Sequence, residues 1–431
     1  MLNKKQINEK LFDLLEAGVT PFHVVAHVQE QLEKEGFTKL CMKKDWELSN
    51  GGKYFINYNQ STLFAFTVGK NVKADSMIRM AAAHTDHPCL HIKPAPEVNG
   101  SGYAQVNVEV YGGPIINTWL DRPLSIAGKI AVKSDDVFKP DVRIYKSEKA
   151  LMTIPNLAIH MNREVNKGVE LNKQTDLLPI LGMVKEELED KDFLMNFLAK
   201  ELKVAKEDIL DYELFVYNTE KPMYIGLEDE LISSPRLDDL TSVQALVSGL
   251  LDGNCEDAIN LIALFNHEEI GSKTKQGADS MLLNHILERM QIALGRNEME
   301  RAVGIYNGML LSVDVAHALH PNKPGKMDIT NKPVLNKGFC IKEACRQSYA
   351  TDAEAIGIVC QICKKNDIPY QKFVNRSDEP GGGTLGSLAS SMTPIKTVDI
   401  GVPMLAMHSA KECMGAEDQH ALYKVVTCFF S

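Results

Sequence analysis

Two adjacent glutamates stand in the segment FNHEEIGSK, at residues 265–273, where an apolar run ends. Glu268 and Glu269 follow His267 and come shortly before Gly271. Two neighbouring carboxylates can serve different purposes, one as a metal ligand and the other as a general base. An exposed acidic turn is the commonest use of such a pair, so this segment alone leaves both interpretations open.

Further histidine and carboxylate side chains stand where other predicted elements end or begin. His84 and Asp86 follow the strand that ends in AAA, and residues two apart in an extended segment point to the same side, so the carboxylate could orient the imidazole. Asp314 follows the strand LLSV, and His408 lies a few residues past the strand VDIG. Asp238 stands just before a predicted helix. Because ligand sites form at the carboxyl ends of strands in an open α/β sheet, we expect these side chains to share one edge.

Each of these residues also has an ordinary structural interpretation. Asp238 alone is typical of a helix N-cap, Asp314 could be a turn residue, and His408 could be a hydrogen-bonded core histidine. Their coincidence at one predicted edge favours a metal site instead. Two histidines and three carboxylates match a pair of divalent cations bridged by one carboxylate, with zinc as the expected metal. Two such ions, about 3.5–4 Å apart, would lower the pKa of a shared water from about 15.7 toward 7, which predicts amide hydrolysis with an uncoordinated carboxylate as the base.

Other catalytic signatures are absent from the sequence. It contains no Walker A loop and no GxSxG elbow, and HEEIG fails the HExxH pattern because Gly271 stands at its fifth position. The segment GGGTLGS at 381–387 is expected to open a helix and could hold an anion through backbone amides. Without GxGxxG or a lysine in register, a tight turn lining another cleft is favoured over a nucleotide site, and we expect Gly382 and Gly383 to contact substrate there.

The elements around these residues predict an α/β fold with a mostly parallel mixed sheet flanked by helices. Short apolar runs are typical of buried strands at 78–83, 258–265, 308–313, 368–374 and 395–401. Helical periodicity covers 5–36, 240–252, 279–294 and 352–365.

Residues 95–230 have a different character. YAQVNVEVYGG, LSIAGKIAVK and DVRIYKS alternate with period two, and a polar, helix-like stretch follows at 183–202. We therefore predict two domains, a catalytic domain made of 1–94 and 231–431 and a β-rich domain inserted at 95–230.

Composition limits the classes of partner and compartment. Apolar residues are 44% and charged residues 24% of the 431-residue chain, as in ordinary globular proteins. The net charge of -10 and the lack of a dense basic run argue against a nucleic-acid partner. No apolar stretch has the length of about 18 residues that a membrane helix needs, and the amino terminus lacks a signal-peptide core, so a cytoplasmic protein is expected.

Nine cysteines, an odd number, fit a reducing compartment better than a disulfide framework. Cys360 and Cys363 form a CxxC pair late in a predicted helix. A reactive pair needs the positive helix start to lower its thiol pKa, so the core interpretation is favoured over a redox one.

The residues above resemble the M18 metallopeptidases, whose type enzyme is aspartyl aminopeptidase. The resemblance covers nearly the whole chain. It rests on TPFHVVAHV, AAHTDHP, QVNVEVYGGPIINTWLDRPLSIAG, IPNLAIHMNREVN, SPRLDDLTS, FNHEEIGS, SVDVAHALHPN, SYATDAEA and GVPMLAMHSAKE. It implies the zinc-exopeptidase fold, with the inserted region as a dimerisation domain.

The resemblance also implies roles for the metal-site residues. His84 and Asp314 would hold the first zinc ion, Glu269 and His408 the second, and Asp238 would bridge the two. Co²⁺ or Mn²⁺ could replace zinc in one site. Glu268 would be the general base, and Asp86 would orient His84.

The dimerisation domain of this family carries a histidine that reaches the neighbouring subunit's active site, and IPNLAIH makes His160 the matching residue. The resemblance implies peptide substrates, dimers, and assembly into a tetrahedral dodecamer.

Two positions depart from the family pattern. His87 stands in HTDHP where the family commonly has a small residue, and an extra imidazole could change metal preference or pH response. Lys342 best matches a lysine that selects acidic amino-terminal residues, yet Glu343 is adjacent and could neutralise it.

The ligand set predicts a dinuclear-zinc aminopeptidase acting on peptides, and the resemblance implies that it removes acidic residues, Asp or Glu, from their amino termini. Three alternatives stay open: a preference for neutral residues, hydrolysis of N-acyl amino acids or carboxy-terminal residues, and a non-catalytic scaffold or cargo protein of the same fold. The completeness of the predicted ligand set argues against the scaffold.

Overall fold

The structure is a computed structural model that describes residues 1–183 and 192–431. The chain divides into two compact units. The first unit comprises Met1–His87, Pro222–Met407 and Glu412–Ser431, and the second comprises Pro88–Lys221 with His408–Lys411. The second unit therefore interrupts the first twice along the chain.

The two units are built from the following helices and strands. The α-helices of the described chain are α1 (Lys4–Ala17), α2 (Pro21–Lys34), α3 (Phe193–Leu202), α4 (Leu237–Asp252), α5 (Leu282–Ala293), α6 (Glu298–Tyr306), α7 (Ala353–Lys365), α8 (Leu385–Met392) and α9 (Asp418–Phe429). The strands are β1 (Thr38–Lys39), β2 (Lys53–Tyr58), β3 (Thr62–Val68), β4 (Ile78–His84), β5 (Cys89–Gly100), β6 (Tyr103–Tyr111), β7 (Leu124–Val132), β8 (Asp141–Lys146), β9 (Ile180–Met183), β10 (Ile209–Asn218), β11 (Met223–Ile225), β12 (Leu231–Ser234), β13 (Ile259–Phe265), β14 (Met309–Val313), β15 (Ala316–His317), β16 (Phe339–Glu343), β17 (Tyr370–Val374), β18 (Lys396–Gly401), β19 (Pro403–Leu405) and β20 (Glu412–Gly415).

A nine-stranded mixed sheet forms the centre of the first unit, in the order β1-β2-β3-β13-β4-β14-β18-β16-β17. The strands β13, β4, β14 and β18 are parallel neighbours. The pairs β2–β3, β3–β13 and β16–β18 are antiparallel. A smaller sheet of the same unit has the order β11-β12-β20-β19-β15. The predicted α/β fold with a mostly parallel mixed sheet is confirmed.

Strand β13 explains why the central strands have mostly apolar sequences. All seven of its residues are buried. Ile262 and Leu264 join a core cluster with residues of α1, α2, α4, α7 and α9, whereas Leu261 and Ala263 join a second cluster with residues of α5 and α8. Because alternate residues point to opposite faces, a sheet covered by helices on both sides needs apolar residues on both of its faces.

The apolar runs predicted as strands are β4, β13, β14, β17 and β18, and these predictions are confirmed. The periodic stretch 5–36 is two helices rather than one. Helix α1 ends at Gly18, whose N–H donates to the Leu14 carbonyl, and α2 begins at Pro21. Proline lacks an N–H and disfavours helical geometry in the residue before it, and Thr20 is accordingly extended.

The second unit contains a six-stranded antiparallel sheet in the order β8-β7-β10-β5-β6-β9. The period-two segments correspond to β6, β7 and β8. The predicted helix at 183–202 corresponds to α3 at its carboxyl end, and residues 184–191 lie outside the described residues. Within the described parts of the chain, every helix is too short or too polar to cross a membrane.

The CxxC pair lies in the later half of α7, as predicted. Cys363 is buried, and burial raises the pKa of its thiol to about 12, with Cys360 and Cys428 adding to the effect. A thiol held in its neutral form is a poor nucleophile. This pair therefore behaves as part of the core.

Candidate active site

The parallel strands β13, β4 and β14 end at the same edge of the central sheet. His84 is the last residue of β4 and lies in register with Phe265, the last residue of β13. Asp314 directly follows β14, and the Glu268–Ile270 turn begins three residues past β13. The strand order therefore places side chains from three segments that are far apart in sequence at one edge of the sheet, as the sequence predicts.

His84 is buried, and its hydrogen bonds fix which ring nitrogen faces the carboxylates. Its Nδ1 lies 3.0 Å from the Asp86 carbonyl oxygen, which can only accept, so Nδ1 carries the proton. The Nε2 atom lies 3.4 Å from Asp238 Oδ1 and 3.9 Å from Asp314 Oδ1. With the ring neutral, as metal binding requires, Nε2 would hold the lone pair and the second nitrogen would stay anchored.

Asp86 contacts His84 Nδ1 through its backbone carbonyl and, at 3.4 Å, through Oδ1, and its carboxylate also binds the glutamate turn. The backbone N–H groups of Glu268 and Glu269 donate to Asp86 Oδ1 and Oδ2 respectively, each at 3.1 Å. The turn is a short 3-10 helix flanked by His267 at φ 67° and Gly271 at φ 96°. These left-handed positions reverse the chain on both sides of the pair, so two adjacent side chains can lie at one site.

Within the first unit, the donor atoms form two groups, and both groups contain His84. His84, Asp238, Asp239 and Asp314 each offer one ligand atom within 4.8 Å of the others, and so do His84, Glu268 and Glu269. Asp238 and Glu269 also offer atoms within 4.8 Å of one another. Imidazole nitrogen and carboxylate oxygen are donors that zinc accepts at about 2.0–2.2 Å, so the donor set fits a zinc site.

Asp238 stands in the first turn of α4 with non-helical backbone angles, φ -79° and ψ 108°, and its own N–H donates to Glu412 Oε2 at 3.1 Å. The side chain is buried and lies beside His84. A bond from its backbone thus holds Asp238 at the entrance of α4, with its carboxylate in the donor group.

The carboxylates at this edge are crowded and mostly buried, which shifts their pKa values. Burial, with the charge of Asp238 adding to it, raises the pKa of Glu269 well above its usual range. Burial raises the pKa of Glu268 to about 8; His84 opposes this shift, and Asp314 adds to it. Burial lowers the pKa of His84, but Asp239 and Asp238 outweigh it and raise that pKa well above 6.5. Bound cations would relieve this excess of negative charge.

Asp239 belongs to the donor group and is missing from the predicted site. Its Oδ2 accepts a hydrogen bond from the His84 backbone N–H at 3.1 Å, and the residue is fully buried. Burial raises its pKa well above 3.8, with Asp314 among the groups that add to this. The second aspartate of SPRLDDLTS was the available signal, but a helix start is a common place for an acidic pair.

Lys342 is buried rather than placed on a surface. Its Nζ donates to the carbonyl oxygens of Asp314 at 3.2 Å and Val315 at 2.9 Å, and it lies 3.6 Å from Asp314 Oδ2. The predicted neutralisation by Glu343 is wrong, because Glu343 pairs with Lys372 at 2.7 Å. Successive residues of a strand point to opposite faces, so neighbours in β16 meet different partners.

Gly382 and Gly383 are exposed and precede α8, which begins at Leu385 as the sequence predicts. Gly382 lines a cavity of about 470 Å³ in the first unit. The charged side chains of the lining are Lys323, Lys326 and Arg376 with one acid, Glu379. The lining also contains the polar residues His317, His320 and Asn375.

Two predicted site residues belong to the second unit. His408 Nδ1 lies 3.1 Å from the Gly113 carbonyl oxygen, so this nitrogen carries the proton and Nε2 holds the lone pair. His160 is exposed in the turn that follows Ile159. His87, in the first unit, is buried, and burial together with the charge of Arg236 lowers its pKa to about 3, so its imidazole is neutral.

The sequence matches the family model described as aminopeptidase I zinc metalloprotease (M18) over residues 14–430. It is 44% identical to a probable M18 family aminopeptidase 2 of Clostridium novyi and 42% identical to one of Clostridium acetobutylicum, in each case over all of both chains.

Solved structures agree in fold. A chain in the cryo-EM structure of the Ape4 and Nbr1 complex is 33% identical with a TM-score of 0.95, covering 99% of this chain and 86% of that one. The S. cerevisiae mApe1 dodecamer contains a chain 27% identical with a TM-score of 0.84, covering 99% and 96%. These similarities confirm the predicted zinc-exopeptidase fold. The chain belongs to the M18 family and is a metallo-aminopeptidase, a hydrolase of peptide bonds.

Proposed function

We propose that this aminopeptidase uses two zinc ions bridged by Asp238. His84 and Asp314 would hold the first ion, and Glu269 with His408 would hold the second. The observation that carries the proposal is that Asp238 shares one donor group with His84 and Asp314 and also offers an atom close to Glu269. One carboxylate within reach of two donor groups is what a bridging ligand requires.

The chain's own residues suggest how the reaction is organised. Bound zinc would polarise the scissile carbonyl. It would also lower the pKa of a water, so that the water could lose a proton and attack that carbonyl near neutral pH. Glu268 would take the proton of that water and later give it to the leaving amine. The buried position of Glu268 suits this role, because burial raises its pKa from 4.5 to about 8 and so makes its carboxylate a stronger base. Asp86 would keep Glu268 in place through the turn N–H groups.

Zinc stoichiometry tests the two-ion proposal. Protein loaded with zinc and freed of excess by gel filtration should contain two zinc atoms per chain by mass spectrometry of the metal. Chelation should abolish release of amino-terminal residues, and added zinc should restore it. A single zinc atom per chain in fully active protein would refute the bridged pair. Co²⁺ and Mn²⁺, added alone and together with zinc, test whether one site accepts another metal.

We propose further that the substrates are peptides with acidic amino-terminal residues. The lining of the cavity beside Gly382 supports this, because Lys326 and Arg376 pair with Glu379 and Asp378, and Lys323 adds a further positive charge. A positive cavity favours a carboxylate over an apolar side chain through charge complementarity. Gly382 and Gly383 would leave backbone amides accessible to the substrate in the segment before α8.

A panel of amino-terminal Asp, Glu, Leu, Met and Arg substrates, compared by kcat/KM, tests this preference. Higher values for Asp and Glu support the proposal. Higher values for Leu or Met would favour the neutral-residue alternative. Peptides blocked at the amino or the carboxyl end separate aminopeptidase activity from release of carboxy-terminal residues.

We also propose that the chain assembles through its second unit into dimers and a tetrahedral dodecamer. Exposed apolar side chains support this, including Phe138 and Val137 in the β7–β8 connection and Leu157 and Met161 near His160. A related structure is titled as a dodecamer. His160 would then reach the active site of a neighbouring copy. Light scattering after gel filtration measures the mass of the oligomer. His160→Ala should lower kcat without changing that mass.

A scaffold lacking catalysis would be free to lose ligands, yet all five predicted ligands and both predicted catalytic carboxylates are present in this sequence. Absence of any peptide hydrolysis with Zn²⁺, Co²⁺ or Mn²⁺ would revive that alternative. The nine free cysteines support the proposed cytoplasmic location.

A further inference from the structure

Lys342 stands in a polar row that crosses three strands of the central sheet. It lies in register with Asp399 of β18, and Asp399 lies in register with Ser312 of β14. Register partners in adjacent strands point to the same face, so the three side chains are neighbours. A buried row of this kind is unusual in a sheet whose core is mostly apolar, and such networks often fix one specific arrangement.

At one end of the row, Lys342 holds the residue that follows β14. Its Nζ donates to the backbone carbonyls of Asp314 and Val315, at 3.2 and 2.9 Å, and lies 3.6 Å from Asp314 Oδ2. The Lys342 side chain is 2% exposed. The same ammonium therefore contacts both the main chain and the carboxylate of a proposed metal ligand.

At the centre of the row, the Asp399 carboxylate is saturated with donors. It accepts from Ser312 Oγ at 2.5 Å, from Thr384 Oγ1 at 2.6 Å and from the Ala350 N–H at 2.6 Å. Helix α8 reaches this row only because residue 386 is glycine, since a Cβ there would stand 2.4 Å from Ser312 Oγ. These bonds fix the anion that faces Lys342 and so favour one position for the ammonium.

We propose that Lys342 is a positioning residue that sets Asp314 for zinc. The inference rests on the proposed zinc site. A ligand carboxylate must be oriented by neighbouring groups, and loss of such a group typically costs about 10- to 100-fold in metal affinity or activity. Lys342 has the contacts for this role, whereas its ammonium is enclosed by protein groups that a substrate would have to displace.

The test compares Lys342→Met and Lys342→Gln with a matched control, Lys372→Met. Lys372 lies on the adjacent strand β17 and pairs with Glu343, and its side chain is 34% exposed. Zinc affinity of each protein is measured by competition with a chelator, and kcat and KM are measured for Asp and Leu substrates at limiting and at saturating zinc. We expect Lys342→Met to lose about 10- to 100-fold in zinc affinity, with Lys372→Met unchanged.

The substrate readout separates the two roles of Lys342. Positioning predicts that Lys342→Met lowers kcat for Asp and Leu substrates alike, and that added zinc restores part of the loss. A selective loss of Asp hydrolysis with wild-type zinc affinity would overturn the inference. So would wild-type affinity and wild-type kcat in a folded Lys342→Met protein. Lys342→Gln keeps a polar donor without the charge, and we expect its zinc affinity to lie between those of Lys342→Met and wild type.

If neither variant folds, a crystal structure of the wild-type protein with zinc and a substrate-like amino acid tests the inference instead. Nζ within hydrogen-bond distance of the Asp314 carbonyl supports the inference, whereas Nζ bonded to the amino acid's carboxylate overturns it. Wild-type zinc content is measured first, so that failure of the zinc proposal itself is recognised separately from failure of the role of Lys342.

Discussion

The Asp86 carboxylate and the Glu268 backbone are joined by a hydrogen bond of 3.1 Å from the Glu268 N–H to Asp86 Oδ1, and Oδ2 accepts the next N–H in the same way. The Asp86 backbone carbonyl meanwhile accepts from His84 Nδ1. One residue therefore positions a proposed metal ligand with its main chain and the proposed general base with its side chain.

Asp86→Asn should disturb the glutamate turn. An amide can accept from only one of the two N–H groups, because its other end is a donor. We expect a fall in kcat of at least about 10-fold and a loss of zinc affinity of about 10- to 100-fold. Steady-state kinetics and chelator competition measure the two effects.

Asp257→Asn, at an exposed position just before β13, is the control and should match the wild-type protein. An Asp86→Asn protein with unchanged kcat and unchanged zinc affinity would remove Asp86 from the positioning role.

Asp239→Asn should stabilise the metal-free protein and weaken zinc binding at the same time. The amide oxygen can still accept from the His84 N–H, while a buried negative charge is removed from beside Asp238 and Asp314. We expect a higher melting temperature without metal and a smaller increase on adding zinc. If the melting temperatures with and without zinc both equal those of the wild type, the charge of Asp239 is irrelevant to the site.

The metal-free protein should lose stability as the pH rises from about 5 to 8. The folded-state pKa of Glu268 is raised from 4.5 to about 8, so folded protein binds more protons than unfolded protein in this range. The stabilising contribution of protonated Glu268 is complete below the unfolded pKa and is lost as the pH passes the folded one. Glu269 and His84 shift in the same direction.

Thermal unfolding of chelated protein at several pH values measures this effect. Zinc should flatten the dependence, because cations stabilise the ionised carboxylates, and metal-free Glu268→Gln should have a shallower slope than the metal-free wild type. If the stability of the metal-free protein rises from pH 5 to 8, the buried groups of the site do not have raised pKa values.

Lys323→Met should reduce preference for acidic amino-terminal residues. Lys323 lines the basic cavity and is exposed, and exposed ion pairs contribute about 0.2–1 kcal/mol. We therefore expect kcat/KM for Asp substrates to fall about two- to five-fold while Leu substrates are unaffected. Lys332→Met, at an exposed position outside the cavity lining, is the control. An equal loss for Asp and Leu substrates would place acid selection elsewhere.

The sheet edge could be predicted because it depends on short-range pattern. Apolar runs identify β4, β13 and β14, and chain direction places His84, Asp314 and the glutamate pair at their carboxyl ends. Those rules need only sequence order and the geometry of parallel strands.

The contacts made by buried polar side chains could not be predicted in the same way. Lys342 and Glu343 are adjacent in sequence but find separate partners, Asp314 and Lys372, because strand residues alternate in direction. Asp239 resembles any acidic residue at a helix start until the His84 backbone is placed beside it. Both depend on which strands become neighbours across the sheet.

Glu268→Gln, examined for zinc content and turnover together, tests the central claim most directly. The amide cannot accept a proton from water, so kcat should fall by about 100- to 10,000-fold. Asp86 bonds the backbone of Glu268 rather than its side chain, so the turn should persist and the zinc content should stay at two atoms per chain. Wild-type kcat in a Glu268→Gln protein that holds both ions would contradict the assignment of Glu268 as the general base.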